Sequence, residues 1–389
     1  MSFADTLIRL PRVKSPLLER FERLISASET RHLEAMAVQS RQITLRHFGR
    51  TIRLFAPLYV SNECVNNCAY CGFSRDNHIL RVTLNLPQVL AEARHLADQG
   101  FRHLLLVSGE QSRFVSVEYL RDLTRALRSL MPSISLEVGP METDEYRRVV
   151  EAGAEGLVAY QETYHREMYA QVHTHGPKKD FDWRLETPER AAAAGFKRLG
   201  IGALFGLAPW REEALALAAH AEYLLRECWK CQITVSLPRL RPAAGSYEPR
   251  HPLGDRELVQ LVCALRICFP TLGIVLSTRE PAALRDGLIP LGVTMISAGS
   301  HTEPGGYTGA GRDQVHVTVG GRVRMDGERG TVETIKSEGQ SLTPAEEQFA
   351  VADLRSPDEM ARRLREMGYE PVWKDWDAVL APGMAEALS

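Results

Sequence analysis

The sequence predicts an α/β protein whose main unit is a (β/α)8 TIM-type barrel, preceded by a helical extension and followed by a C-terminal cap. Between residues 51 and 303, short apolar runs alternate eight times with stretches of helical periodicity, as a closed parallel barrel requires. The polar and glycine residues that stand out follow these runs, and barrels of this type carry their chemistry on the loops after the strands. A doubly wound open sheet is the main alternative.

The chain divides into three predicted regions. Residues 1–50 are charged and amphipathic, and Phe21 and Ile25 at helical spacing indicate helices that pack outside the barrel. Residues 51–303 form the barrel. Residues 304–389 form a C-terminal insertion and a helical cap.

Eight apolar runs mark the predicted strands. They end at Val60, Ser108, Val138, Tyr160, Leu204, Pro238, Thr278 and Ala298. The stretches between them have helical periodicity, for example at Leu120, Leu123 and Leu127. Thr143 and Thr187 are predicted helix N-caps, because acidic residues follow the first and a proline follows the second.

The sequence pattern changes after the barrel. Two alternating apolar runs flank Gly320-Gly321 in the 309–341 insertion and predict a β-hairpin. Thr343 and Ser356 each precede a glutamate by three residues, which predicts two capping boxes.

Composition excludes several classes of partner. The 389 residues carry a formal net charge of −2 with Lys and Arg spread along the chain, so neither nucleic acid nor an anionic membrane is expected. No run of about 18 apolar residues predicts a membrane span, and charges interrupt the N-terminal stretch where a signal peptide would be apolar. Seven cysteines in a chain this long predict free thiols in a reducing cytoplasm.

The stretch CVNNCAYCGF carries the strongest chemical signal. Cys64, Cys68 and Cys71 lie together without a fourth cysteine nearby, whereas structural zinc sites and electron-transfer clusters usually take four protein ligands. Three thiolates leave one metal position open, which the amine and carboxylate of S-adenosylmethionine (SAM) can chelate. A zinc loop completed by a distant His or Cys is the alternative.

The spacing Cys-x3-Cys-x2-Cys, with Tyr70 before the last cysteine, resembles the signature of the radical SAM superfamily. Further stretches resemble the 2-iminoacetate synthase family, the tyrosine lyases of bacterial thiamine biosynthesis. These stretches are LYVSNECVNNCAYCGF, HLLLVSGE, YQETYHREMYA, DFDWRLETPERA, GIGALFGL, SLPRLRP, LSTRE, TEPGGY and PVWKDWD. The resemblance implies a complete barrel that cleaves L-tyrosine between Cα and Cβ into p-cresol and 2-iminoacetate, with SAM converted to 5'-deoxyadenosine and methionine.

The resemblance also implies the cofactor residues. For a 4Fe-4S cluster they are Cys64, Cys68 and Cys71, with Tyr70 beside it. For SAM they are Ser108, Gly109, Glu110, Glu162, Arg184, Gly200, Gly202 and Gly206, the glycines of the last segment lying beside adenine. An ordinary tight turn at Gly109 and a structural ion pair at Glu162 or Arg184 are the alternatives.

The substrate's carboxylate requires a guanidinium, and its ammonium requires neutral or anionic acceptors. The resemblance to related aromatic amino-acid lyases implies that the amino and carboxylate groups of the substrate are bound by Arg279, Ser297 and Tyr59. Further candidates for lining the site are Ser300, His301 and Arg239. His301 could instead be a surface histidine, and Arg239 could neutralise a carboxylate at the barrel mouth. Cys228 and Cys231 precede the sixth strand and are expected on the rim away from the chemistry.

Several functions stay open on sequence alone. A tyrosine lyase of hydrogenase maturation uses an extra C-terminal cluster, and no cysteine follows Cys268 here. A tryptophan lyase shares the residues that bind the amino-acid end of the substrate. A non-catalytic metal protein would bind metal without converting SAM. The implied partners are L-tyrosine, a reductant such as flavodoxin or ferredoxin, and a thiazole synthase that receives the unstable product.

Overall fold

The computed structural model describes residues 3–10, 14–27, 29–245, 247–319, 322–323 and 347–373. Eight parallel strands form its centre: β1 (Thr51–Ser61), β2 (His103–Ser108), β3 (Ser133–Glu137), β4 (Gly156–Val158), β5 (Arg198–Gly202), β6 (Gln232–Ser236), β7 (Gly273–Leu276) and β8 (Met295–Ser297). Each strand pairs with its predecessor, and β8 also pairs with β1 through Leu54 and Ile296. The sheet is therefore a closed barrel, and the open-sheet alternative is wrong.

Each strand ends at or within two residues of its predicted end. The agreement follows from burial, because a strand enclosed by barrel core and outer helices is apolar on both faces and forms a continuous apolar run in the sequence. The loops after all eight strands therefore open at one rim of the barrel, which is the expected position for a site.

Helices surround the barrel. They are α1 (Phe3–Arg9), α2 (Pro16–Ser26), α3 (Thr30–Phe48), α4 (Leu86–Asp98), α5 (Val117–Leu127), α6 (Thr143–Ala152), α7 (Arg166–Val172), α8 (Phe181–Leu185), α9 (Thr187–Ala194), α10 (Trp210–Glu227), α11 (Asp255–Cys268), α12 (Ala282–Leu288) and α13 (Pro357–Glu366). The N-terminal helices α2 and α3 pack against α11 and bury Phe21, Ile25 and Met36. Gln260 of α11 donates to the carbonyls of Leu24 and Ala27 and anchors the end of α2.

Two predicted helix starts are wrong by one residue. The N-cap of α6 is Glu142 rather than Thr143, because Glu145 reaches back and accepts from the Glu142 backbone N–H at 2.9 Å. The N-cap of α9 is Glu186 rather than Thr187. The Thr187 hydroxyl donates instead to the Trp183 carbonyl at the end of the preceding helix.

The C-terminal region adds strands to both ends of the barrel. Strand His316–Val319 pairs antiparallel with Arg322–Val323 and with Leu80–Arg81, as a hairpin requires, while Gly320-Gly321 lies outside the described residues. The capping box at Ser356 is confirmed, and the one at Thr343 lies outside the described residues. Strand Glu370–Val372 pairs with the start of β1.

Across the described parts of the chain, the structure has no helix that combines the length and the apolar character needed to cross a bilayer.

Candidate active site

The loop after β1 holds the three cysteines in a frame of hydrogen bonds. Arg81 is 1% exposed, and its guanidinium donates to the carbonyls of Asn62 and Ser74 at 2.5 and 2.7 Å. The side-chain amide of Asn77 donates to the Cys71 carbonyl at 3.0 Å. These bonds span both ends of the loop, so the backbone that carries the thiols is fixed by buried side chains.

All three thiols are free, and Cys68 is buried. Burial raises the pKa of each thiol. The Lys178 ammonium opposes this effect at Cys68 and Cys71, and backbone hydrogen bonds from Glu110 and other loop residues oppose it at Cys64. Positive charge and amide donors at the site therefore offset part of the burial that favours the protonated thiols, and they act in favour of the thiolate, which is the form that binds metal.

The three thiols on one loop supply the donor set of an iron-sulfur cluster that keeps one metal position open. In the part of the chain that the structure describes, no group of three or more His, Cys, Asp or Glu side chains is arranged to hold a single metal ion.

The loop after β2 approaches the cysteine loop very closely. A Cβ on Gly109 would lie 2.3 Å from the Glu63 carbonyl oxygen and 3.2 Å from the Cys64 Cβ. Packing against the cysteine loop therefore requires glycine at position 109 with or without a bound ligand, as the tight-turn alternative also predicts. Glu110 accepts from the Asn66 side chain at 2.7 Å, and the hydroxyl of Ser108 is buried without a hydrogen-bond partner.

Glu162, after β4, lies between two cations. Its carboxylate is 2.7 Å from the Lys178 ammonium and 3.7 Å from the Arg184 guanidinium. Although burial opposes them, the two cations hold the pKa of Glu162 below its ordinary value. Glu162 has φ of 69°, the only positive φ of a non-glycine residue in the described part of the chain. Such strain persists where neighbouring groups hold a side chain in place.

Lys178 belongs to this cluster and was missed by the sequence analysis. Its backbone N–H donates to Asn66 at 2.9 Å, and its ammonium lies 5.8 Å from the centre of the Tyr70 ring. The signal in the sequence was weak, because Lys178 is separated from Glu162 by 16 residues and stands in an ordinary polar stretch.

Tyr70 is positioned by a histidine. His173 directs Nδ1 at the Tyr169 carbonyl at 2.9 Å, and the Tyr70 hydroxyl lies 2.7 Å from its Nε2. Burial lowers the pKa of His173 to about 2, so the ring is neutral. Nδ1 then carries the proton, and Tyr70 donates to Nε2. The ring of Tyr70 is thereby fixed next to Cys71.

A cavity in the mouth of the barrel brings together four of the predicted substrate residues, which are Tyr59, Arg279, Ser297 and Ser300. Its apolar lining includes Phe55, Leu105, Val107, Val275 and Leu276. The Ser297 hydroxyl accepts from the Thr278 N–H at 3.2 Å, and the Ser300 hydroxyl is buried without a partner. The cavity therefore combines a cation, hydroxyl groups and an apolar wall.

The segment 347–353 covers this cavity and was not singled out in the sequence. The amide oxygen of Gln348 accepts from Tyr59 at 2.8 Å, and its nitrogen lies 3.9 Å from the Cys71 sulfur. The Arg279 guanidinium carbon lies 3.2 Å above the centre of the Phe349 ring. Because stacking occupies the face of a guanidinium, its N–H edge is left available for a carboxylate.

Glu137, at the end of β3, also lines the cavity and was missed. Glu142, the next glutamate along the chain, caps a helix instead. Burial raises the pKa of Glu137 to about 7, Glu162 adds to the shift, and Arg279 opposes it. No hydrogen bond or ion pair joins its carboxylate to another described residue.

Several singled-out residues lie elsewhere. Arg239 is not among the residues that line the cavity; its guanidinium binds Glu280, which does line it, and the exposed Asp255, so Arg239 neutralises a carboxylate at the barrel mouth. His301 is bonded to Glu303 and about half exposed. Cys231 donates to the Phe196 carbonyl before β6, so it lies with Cys228 at the opposite rim.

The glycines on and after β5 have close neighbours within the barrel. A Cβ on Gly202 would lie 2.8 Å from both the Ser236 carbonyl oxygen and the Tyr160 ring. Gly206 has φ of 121°, a conformation that side chains rarely adopt. Both glycines are required by the packing of the chain whether or not a ligand lies beside them.

Comparison with known proteins agrees with this architecture. Residues 58–218 match the Radical SAM superfamily, and residues 236–370 match the Biotin and Thiamin Synthesis associated domain. The 2-iminoacetate synthases of Escherichia coli (strain K12) and Salmonella typhimurium (strain LT2) are 39% and 38% identical to the chain over 92% of its length and 86% of theirs. The X-ray structure of the FeFe-hydrogenase maturase HydG from Carboxydothermus hydrogenoformans is 33% identical, with a TM-score of 0.78, over 96% of this chain and 80% of that one.

The closed barrel and the three-cysteine loop after its first strand, together with these matches, define a radical SAM protein. Within that superfamily, identity of 39% over nearly the whole chain shows that the protein belongs to the 2-iminoacetate synthase family. The predicted family is thus confirmed.

Proposed function

We propose that the protein is a radical SAM lyase that cleaves the Cα–Cβ bond of L-tyrosine to 2-iminoacetate (dehydroglycine) and p-cresol, for thiazole formation in thiamine biosynthesis. The observation that carries the proposal is the cavity at the barrel mouth. Its arginine, its hydroxyl groups and its apolar wall suit an aromatic amino acid, and Gln348 links it directly to the cysteine loop. Membership of the 2-iminoacetate synthase family supports the same substrate.

Cys64, Cys68 and Cys71 hold the 4Fe-4S cluster in this proposal. Glu110 and Glu162 accept from the SAM ammonium, and Arg184 binds the SAM carboxylate, because a guanidinium fork matches a carboxylate. When bound, the cluster and SAM supply a carbon radical that takes a hydrogen atom from the substrate's amine. Lys178 compensates negative charge between the thiolates and Glu162, since its ammonium is 2.7 Å from that carboxylate.

The remaining residues bind tyrosine and shield it. Arg279 binds the substrate carboxylate through its N–H edge while Phe349 covers its face. Tyr59, Ser297 and Ser300 provide hydroxyl groups around the amino-acid end. The apolar wall receives the phenol ring and excludes water and other hydrogen donors from the reacting bond.

Two partners follow from this reaction. A flavodoxin or ferredoxin supplies the electron that the cluster needs, and a thiazole synthase consumes the unstable imine. Both would meet the protein in a reducing cytoplasm, where its seven free thiols stay reduced.

Anaerobic reconstitution with iron and sulfide, followed by incubation with SAM, dithionite and L-tyrosine, tests the proposal. We expect p-cresol and 5'-deoxyadenosine in the wild type and neither in Cys64→Ala, because two thiolates cannot retain the cluster. Cys263→Ala is the matched control: this cysteine is buried in α11, away from the site, so both products should still form.

Conversion of SAM without p-cresol would contradict the choice of tyrosine and would direct the search to another amino acid. Formation of CO and cyanide together with p-cresol would favour the hydrogenase-maturation type of tyrosine lyase instead.

A further inference from the structure

Two carboxylates among the described residues line the cavity, and only one of them has a cationic partner. Glu280 is 2% exposed and bound by Arg239 and Arg241, so its charge is neutralised. Glu137 has no such partner, and no hydrogen bond or ion pair with a described residue holds its carboxylate. The Glu137 side chain is only partly buried and borders the cavity. A carboxylate on an apolar cavity wall without a partner is poorly stabilised, which points to a partner that comes with a ligand.

The position of Glu137 identifies the group that it would meet. It ends β3 on the cavity wall that also includes Tyr59, Tyr160 and Arg279. Its charge acts on Tyr59, whose pKa is raised well above its ordinary value by burial first and by Glu137 next. Arg279 and Glu137 thus offer opposite charges within one cavity, which is the pattern that the ends of an α-amino acid require.

The hydroxyl groups cannot supply this charge. Tyr59 already donates to Gln348, and Ser297 already accepts from the Thr278 N–H. They can orient an ammonium group but do not neutralise it. In the desolvated cavity an ammonium needs an anion, since an unpaired buried charge is strongly destabilising.

We propose that Glu137 binds the α-ammonium group of the amino-acid substrate, opposite the Arg279 guanidinium that binds its carboxylate. This inference rests on the proposed function, because it assumes that the substrate is an α-amino acid bound in the barrel. It makes Glu137 a substrate-binding residue that the sequence motifs do not contain.

The test is anaerobic titration calorimetry of the reconstituted enzyme with SAM and without reductant, so that binding is measured without turnover. The ligands are L-tyrosine and 3-(4-hydroxyphenyl)propanoate, which lacks only the amino group. We expect Glu137→Gln to weaken the affinity for tyrosine about tenfold or more. Its affinity for the propanoate should change less than about threefold, because only tyrosine has the ammonium charge that Glu137 binds.

Two further variants complete the design. Glu137→Asp keeps the charge but withdraws it by one methylene, and it should recover part of the lost affinity. Glu189→Gln makes the same chemical change on the outer helix α9, where Glu189 binds Tyr223, and should leave both ligands unaffected.

Equal weakening of both ligands would overturn the inference, since Glu137 would then act on the phenol end or on the shape of the cavity. Weaker binding of SAM to Glu137→Gln would also overturn it and would assign the carboxylate to the cofactor. If the wild type makes p-cresol but Glu137→Gln binds tyrosine with the same affinity as the wild type, this inference alone would be overturned. A wild type that binds no tyrosine would overturn the proposed function as well.

Discussion

Glu137 is a residue whose charge the folded protein does not stabilise by itself. Burial raises its pKa to about 7, whereas a free glutamate titrates near 4.3. The charged groups that face it are Glu162, which opposes its ionisation, and Arg279, Arg184 and Lys178, which favour it. Binding residues often carry such a cost, because the group that would relieve it is the ligand.

Glu137→Gln should therefore stabilise the substrate-free enzyme at high pH. A raised folded-state pKa means that the wild type loses stability as pH rises from about 4 to about 7, while the glutamine variant does not. We expect similar unfolding temperatures at pH 4 and a variant more stable by on the order of 1–3 kcal/mol at pH 8. Thermal unfolding at both pH values measures the difference. A variant that is less stable at pH 8 would show that the carboxylate has a stabilising partner.

The sequence identified single residues where they stand in or beside a recognisable motif. Cys64, Arg279 and Glu162 follow strands and match family stretches, so their approach to one another could be expected. Glu137 could not be found in this way, because it ends an apolar run and the direction of its side chain depends on barrel register. Lys178 was missed because its partner lies on another loop.

Among the elements, the segment 347–353 connects the loops of the barrel mouth. The Gly72 N–H donates to the Gln348 carbonyl at 3.1 Å, and the Gln348 N–H donates to the Thr302 carbonyl at 3.0 Å. The Ala352 N–H donates to the Thr278 carbonyl at 2.9 Å. One irregular segment thus contacts the cysteine loop and the loops after β7 and β8, and its motion would change the position of all three loops.

Gln348→Ala should uncouple SAM cleavage from tyrosine cleavage. The change removes the acceptor of Tyr59 and the contact to Cys71, so substrate is held less firmly next to the cofactor. We expect the ratio of 5'-deoxyadenosine to p-cresol to rise several-fold, as measured by chromatography of single reactions. Gln42→Ala, on the exposed surface of α3, is the control. An unchanged ratio would show that Gln348 has no part in holding the substrate.

Regular elements were predictable because burial is periodic, and this irregular one was not. All eight strands lie where apolar runs predict them. Helix starts were placed less well, since Glu145 and Thr187 make local bonds that compete with the predicted caps. The segment 347–353 has no periodic pattern, because backbone bonds to four distant loops hold it in place.

For the whole molecule, a buried ion pair ties the C-terminal segment to the barrel. Arg285 of α12 and Asp353 are each 1% exposed and form a direct salt bridge. Arg285 also donates to the Ser297 carbonyl at the end of β8, and Arg355 binds the same Asp353 carboxylate. Asp353, at the end of segment 347–353, is thereby linked through Arg285 to the last barrel strand.

Asp353→Ala should destabilise the whole protein by about 3–5 kcal/mol, because it leaves the Arg285 charge buried without its partner. Denaturant unfolding followed by far-UV circular dichroism measures the change. Asp358→Ala, an exposed aspartate in the first turn of α13, should cost less than about 1 kcal/mol. A comparably small effect at Asp353 would mean that Arg285 finds other acceptors.

The three partners of β1 have a consequence for biosynthesis. Ala56 to Ser61 pairs with β2, Arg53 to Phe55 with β8, and Thr51 to Arg53 with Glu370–Val372. This strand is translated early, and these two partners follow it in the chain by about 240 and about 320 residues, a sequence separation that slows closure of the barrel. The nascent chain must keep that apolar edge from other contacts until translation is almost finished, which makes chaperone protection during synthesis a need built into the topology.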